Sequence, residues 1–324
     1  MKRFIAAAGA LLLSVGTIFS VLAPVGAQQG SFNGYLVSPV RSELTIEQGK
    51  SEIVRLTVEN ATNSPTVAKP IVNDFEPSKD ESGQPKILLD NNVLAGGNSF
   101  KSLVGSLQSI PLGPKEKKEV AVTISVPGNA NVGGYYGAVR FVSEQQGTDK
   151  NVALSASVGT IFLIRVPGNL TEKLDLVEFT AAKNNSNGRF FINSGSMTVV
   201  TRLKNSGNIH VKPYGRVNVT DRSGKLVESY EFNSTDPRAN VLPNSTRKFE
   251  DKLKNQNWLG KYTVSANFGY GSGGSLITAS TTFWVVPTWV FILMGLILLA
   301  LIIGGYLLYR KFTNKSHRSV RPRR

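Results

Sequence analysis

The chain has 324 residues, no cysteine, two histidines and a formal charge of +15. Lacking cysteine, it cannot perform thiol catalysis or hold a cysteine-ligated zinc. Nine of the 37 Lys and Arg residues lie at the two ends, which leaves 28 against 22 acidic residues between them. Such a diffuse surplus lacks the focused basic patch that nucleic-acid binding requires.

At the N-terminus, Lys2 and Arg3 precede an apolar stretch over residues 4–22 that ends in Ala23-Pro24-Val25-Gly26-Ala27. A charged start, an apolar run and small residues at its end predict a signal peptide over residues 1–27, cut after Ala27. The alternative is an uncleaved anchor, and under either reading residues from about 28 to 282 are exported. A long exported segment without a disulfide points to a bacterial envelope, with each half long enough to bury a core unaided.

The exported part reads as strands. Glu52-Ile53-Val54-Arg55-Leu56-Thr57-Val58, Glu119-Val120-Ala121-Val122-Thr123-Ile124-Ser125-Val126 and Met197-Thr198-Val199-Val200-Thr201-Arg202-Leu203 alternate apolar and polar residues, as one-face-buried strands do. Turn signals punctuate them: Ser82-Gly83, Gly113-Pro114, Pro127-Gly128, Asn187-Gly188 and Ser223-Gly224. An internal repeat divides the region. Val58-Glu59-Asn60, Ile110-Pro111-Leu112 and Gly133-Gly134-Tyr135 recur in order as Leu203-Lys204-Asn205, Val241-Leu242-Pro243 and Gly260-Lys261-Tyr262. The predicted fold is all-β: two tandem immunoglobulin-like β-sandwiches over residues 28–167 and 168–284, divided near Val166-Pro167-Gly168-Asn169. Tyr135 and Tyr262 each begin a late strand after a glycine turn, as the tyrosine corner does, so structural roles are expected for both.

Chemistry is sparse. His317 falls in the tail, which leaves His210 as the one exported histidine, without a nucleophile elbow to serve, and a structural or surface role is expected of it. Asp74, Glu76, Asp80, Glu81 and Asp90 form the densest acidic stretch, but EF-hand spacing is absent and Lys79 interrupts the cluster. An exposed hairpin tip at Asp80-Glu81-Ser82-Gly83 is the simpler expectation, with a calcium loop as the alternative. Residues 269–274 read as a flexible hairpin rather than a phosphate loop, and no cofactor is predicted. In Tyr135-Tyr136, neighbouring strand residues point to opposite faces. One ring is therefore core, and Tyr136 is the candidate ligand contact, weighed against edge packing.

Residues 285–309 form an uncharged run of about 25 residues, enough for a transmembrane helix at about 1.5 Å per residue with some tilt. Arg310, Lys311 and Lys315 begin a tail over residues 310–324 that has no acidic residue, which predicts a cytoplasmic C-terminus and an external N-terminus. Trp284, Trp289, Tyr306 and Tyr309 flank the run as interface anchors. Phe283-Trp284-Val285-Val286-Pro287-Thr288 stands where a wall-sorting signal would carry Leu-Pro-x-Thr-Gly, so the span is expected to stay in the membrane.

Tyr35-Leu36-Val37-Ser38-Pro39-Val40, the Gln48-Gly49-Lys50 turn, Val58-Glu59-Asn60 and Ile124-Ser125-Val126-Pro127 followed by Gly133-Gly134-Tyr135-Tyr136-Gly137-Ala138 resemble the first exported domain of WxL-interacting (DUF916-type) bacterial cell-surface proteins. The second half, from Asn205-Ser206-Gly207-Asn208 to the basic tail, is similar in layout to their second domain. The resemblance implies peptidoglycan association for the first domain and host or partner proteins for the second. The expected function is a non-enzymatic, membrane-anchored surface protein binding a cell-wall polymer or another envelope protein. The alternative is an accessory subunit of a membrane enzyme or secretion complex, associating through the span and second module.

Overall fold

The computed structural model describes residues 34–90, 94–95, 98–143 and 157–315. The predicted signal peptide, His317 and the last four arginines lie outside them. The first half contains β1 (Tyr35–Ser38), β2 (Arg41–Thr45), β3 (Ser51–Asn60), β4 (Thr66–Pro77), β5 (Pro85–Ile87), β6 (Ile110–Leu112), β7 (Lys117–Ser125), β8 (Gly133–Ser143) and β9 (Val158–Val166). The second contains β10 (Leu174–Lys183), β11 (Ser186–Gly188), β12 (Phe190–Ile192), β13 (Met197–Asn205), β14 (Tyr214–Asp221), β15 (Leu226–Phe232), β16 (Ser245–Lys252), β17 (Gly260–Tyr270) and β18 (Ser275–Val286), followed by helix α1 (Thr288–Lys315).

These strands make four sheets: β1-β3-β7 with β2-β9-β8-β4-β5 in the first half, where β6 joins β4, and β11-β10-β13-β16 with β12-β18-β17-β14-β15 in the second. Alternation drives each pair together. Leu56, Val122, Val139 and Phe162 fill one core, while Val199, Leu203, Val217, Val264, Phe268 and Phe283 fill the other. Each half also moves its first strand region from one sheet to the other. Strand β1 runs antiparallel to β3 while β2 runs parallel to β9, and β10 runs antiparallel to β13 while β12 runs parallel to β18.

The sequence repeat is also a repeat of hydrogen bonds. Asn60 is fully buried; its amide donates to the carbonyls of Ser64 (2.7 Å) and Gly113 (2.8 Å), and its Oδ1 accepts from the Thr62 N–H (3.0 Å). Asn205, equally buried, donates to Ile209 (2.8 Å) and Val241 (2.9 Å) and accepts from the Gly207 N–H (2.8 Å). In both halves one side chain ties the end of a strand to its own turn and to the chain ahead of the next strand of that sheet. The two tyrosines also occupy equivalent places. The Tyr135 hydroxyl donates to the Asn131 carbonyl (3.0 Å), and the Tyr262 hydroxyl accepts from the Leu259 N–H (3.0 Å).

Helix α1 is long and apolar enough to cross a membrane, with a mean hydropathy of 2.7 and none of its apolar window buried against the rest of the protein. It begins later than the sequence pattern suggested. Val285 and Val286 belong to β18, where they pair with Phe191 and Ile192, and helix starts only after Pro287. A proline at the first turn of a helix loses no intrahelical bond, so the break falls there naturally. Trp284 is therefore a strand residue, whereas Trp289, Tyr306 and Tyr309 are exposed on the helix, and Arg310, Lys311 and Lys315 lie in its last turns.

Candidate binding cleft between the two sandwiches

Tyr135 and Tyr136 divide as strand geometry requires. Tyr135 enters the first core, and Tyr136 points out of β8 toward the second sandwich. Its hydroxyl accepts the His210 backbone N–H at 2.8 Å and lies 3.2 Å from Nδ1 of the same residue. The two rings meet edge to face at 5.6 Å, and Phe75 packs on the other side of Tyr136 at 5.9 Å. Burial pushes the Tyr136 phenol up and pulls the His210 imidazole down to about 4. At neutral pH the ring is uncharged, which leaves the Tyr136 hydroxyl proton free to point at Nδ1.

Further polar contacts cross the same boundary. The Gly134 N–H donates to the Asn208 carbonyl (3.1 Å), and Lys212 pairs with Glu43 (2.5 Å), which also meets Arg41. Arg165 pairs with Glu172 (3.2 Å), whose carboxylate accepts from both the N–H and the hydroxyl of Ser272 (2.7 Å each). The β4–β5 tip supplies another. Glu81, in the left-handed region at φ 60°, accepts from Arg202 Nε at 2.7 Å, and its carbonyl accepts the Lys248 N–H at 2.9 Å. Phe75, Leu163 and Leu242 form a small apolar contact between these polar groups.

Two recesses open beside this boundary. One of about 530 Å³ is lined by Phe75, Asn98, Asn131, Tyr136, Asn208 and Leu242. The other, of about 420 Å³, is lined by Glu43, Arg165, Glu172, His210, Lys212 and Arg238, with the Arg238 guanidinium 5.0 Å above the Tyr214 ring. Glu43 and Glu172 are each paired with a cation, Lys212 and Arg165 respectively. Among the described residues no group of three or more His, Asp or Glu could hold a metal ion.

At the Asp80-Glu81-Ser82-Gly83 tip, Asp80 and Ser82 are exposed as the sequence pattern suggests, while Glu81 is half-buried against the second sandwich. The acids of this stretch do not converge as a calcium loop needs. Asp74 accepts from the N–H groups of Ala95 and Lys101, Asp80 from Ser82, and Glu81 from Arg202. Tyr136 lines a recess, as a ligand contact would, and it is also half of the contact to His210. The charged partners escaped notice for a simple reason. Glu81 and Arg202 are 121 residues apart, Glu43 and Lys212 169 apart, and no local pattern announces pairs at such separations.

Two outcomes follow from these contacts. Arg202→Met should weaken the docking of the β4–β5 tip by only about 1 kcal/mol, because the Arg202 and Glu81 side chains keep 32% and 27% of their surface in water. Urea melts followed by tryptophan emission check this, and a loss of several kcal/mol would mean that the pair is far better shielded. The second outcome concerns pH. With its folded value below the ordinary 6.5, His210 adds stability that is complete above about pH 6.5 and is lost as pH falls toward 4. Asp251, half-buried next to Tyr230 (3.4 Å), is pushed up to about 6 by its partial burial and acts with the opposite sign. Its stability is present below its ordinary 3.8 and is lost as pH rises through 6. Melting temperatures of His210→Asn should therefore fall less than wild type between about pH 6.5 and 4, while those of Asp251→Asn should fall more steeply. Parallel profiles for all three proteins would contradict both assignments.

No protein-family model and no curated protein matches the sequence. Among solved structures, the chain is similar to a chaperone–tip adhesin complex of CFA/I fimbriae biogenesis at 10% identity and a TM-score of 0.38, covering 76% of this chain and 98% of that one. It is also similar to the class 5 fimbrial chaperone CfaA (11%, 0.39, covering 77% and 99%). A third is the CupB2 chaperone of Pseudomonas aeruginosa (10%, 0.33, covering 75% and 97%). Likeness at this level says nothing of function, and the strand pairing itself defines the sandwiches.

Proposed function

We propose that this chain is a non-enzymatic surface protein: two immunoglobulin-like sandwiches held outside the cell by helix α1, binding a cell-wall polymer or another envelope protein. The observation that supports it most is the bare helix. Within Thr288–Thr313 an 18-residue window of mean hydropathy 2.7 is not buried against the rest of the protein. So much apolar surface in water would cost tens of kcal/mol at about 25 cal/mol per Å², whereas a bilayer accepts it. The basic residues from Arg310 onward support a cytoplasmic C-terminus.

The ligand would enter between the sandwiches, where polar walls and paired charges favour a glycan or a peptide over a strongly charged polyanion. The first sandwich, farther along the chain from the span, is the wall-facing part. Kinship with the WxL-interacting surface proteins belongs to the same reading. Full-length protein in detergent, incubated with isolated cell walls, should be retained in the wall pellet, and Tyr136→Ala or Arg238→Ala should reduce retention. No retention, together with co-purification of a membrane enzyme or secretion component, would replace wall binding with the accessory-subunit role.

A further inference from the structure

Strand β12 and the end of β18 carry an apolar surface that faces away from the protein. Phe190 and Ile192 are 73% and 58% exposed, while Phe191 between them is buried. Trp284 alternates in the same way with buried Phe283 and Val285, and its ring lies flat on Phe190 with centroids 6.0 Å apart. Leu259, just before β17, adds a fourth large exposed apolar side chain at this end of the sheet. Exposed aromatic and aliphatic residues gathered in one place usually mark a contact surface. Two basic residues adjoin it: Arg189 precedes Phe190, and Lys261 lies opposite Trp284 across the ladder.

This surface is fixed to the start of helix α1. The first helical N–H groups have no intrahelical acceptor, and here the Thr288 N–H is capped by Asn193 Oδ1 at 2.8 Å. Asn193 follows β12 directly, and its own N–H donates to the Val286 carbonyl at 3.0 Å. The sheet corner and the helix are therefore joined by β18, by the ladder to β12 and by this cap, with only Pro287 between strand and helix.

The depth of the corner follows from the length of the span. If Arg310 and Lys311 mark the inner boundary, residues 290–309 cover about 30 Å at about 1.5 Å each, which is the full thickness of the hydrocarbon. The outer boundary then falls near Trp289, at the very start of the helix. No spacer remains to lift the sheet clear of the head groups, a layer about 5–7 Å deep.

We propose that Phe190, Ile192, Leu259 and Trp284 are seated in the outer head-group layer of the bilayer, so that the second sandwich rests on the membrane as well as being tethered to it. This rests on the reading of α1 as a membrane span. The lipid surface is favoured over a protein partner because the patch is continuous with the helix, and because aromatic rings with basic neighbours suit that interface.

The test uses full-length protein in nanodiscs of mixed zwitterionic and anionic lipid, with Trp289→Phe as background. Trp284 and the buried Trp258 then emit. Lipids brominated near the head group should reduce Trp284 emission at least about twofold, as expected for a ring at the interface, while lipids brominated near the chain ends should not. Trp284→Phe should abolish the quenching, and Phe190→Ser with Ile192→Ser should lower it, since both side chains are exposed and dispensable for the core. Unchanged emission in a protein that co-elutes with the disc would overturn the proposal while leaving the span intact. Unchanged emission with cross-linking between two copies in one disc would assign the patch to a second copy instead. Failure to remain with the disc at all would overturn the spanning reading and this proposal together.

Discussion

Replacing Asn205 by alanine should destabilise the second sandwich by about 3 kcal/mol, since it strips partners from backbone groups that have no access to water. The Ile209 carbonyl and the Gly207 N–H would be left buried with no side chain to meet them, and the Val241 carbonyl would keep only the Val211 N–H. Aspartate is nearly isosteric but offers no donor, and should do no better. Chemical denaturation is the direct check. A loss below about 1 kcal/mol would mean that the turn finds other partners. The equivalent change at Asn60 should act on the first sandwich in the same direction, with a smaller effect because its turn is partly open to solvent and retains Thr62.

A larger effect is expected at Phe283. This ring is fully buried and lies within 5.4 Å of Tyr262, 5.6 Å of Trp258 and 6.3 Å of Phe191. It lies on β18 next to Trp284, on the opposite face of the strand. Phe283→Ala would remove the centre of this cluster, costing about 4 kcal/mol in lost burial and residual cavity. Phe283→Leu should recover more than half of that, because it conserves most of the volume. Thermal melts with Trp258 emission as a local reporter would check both. A loss confined to about 1 kcal/mol for alanine would show that the neighbouring rings collapse into the space.

Much of this fold can be read directly from the residues. Period-two alternation placed the strands because each has one face on a core. The recurrence of Asn60 as Asn205, and of Tyr135 as Tyr262, was visible because each residue serves a turn only a few positions away. The candidate cleft was much less legible. His210 looked like an isolated surface or structural residue, and only the approach of β8 gives it Tyr136. The tip at Glu81 reads as a solvent turn by every local rule, since its left-handed backbone and Ser82-Gly83 satisfy turn chemistry whether or not another surface is near. Its partner Arg202 sits on β13 in an ordinary alternating pattern. The start of the helix is hard to place for a related reason. Val285 and Val286 are equally acceptable in a strand or a membrane helix, and hydropathy alone cannot divide them; Pro287 can.

Topology tests the central claim most directly. Cells producing the full-length protein with an epitope after Arg324 are stripped of their wall, kept osmotically intact and treated with protease from outside. Both sandwiches should be digested while a tagged fragment containing helix α1 survives, and detergent permeabilisation should expose the tag. Loss of the tag in intact cells, or survival of the sandwiches after protease, would contradict it.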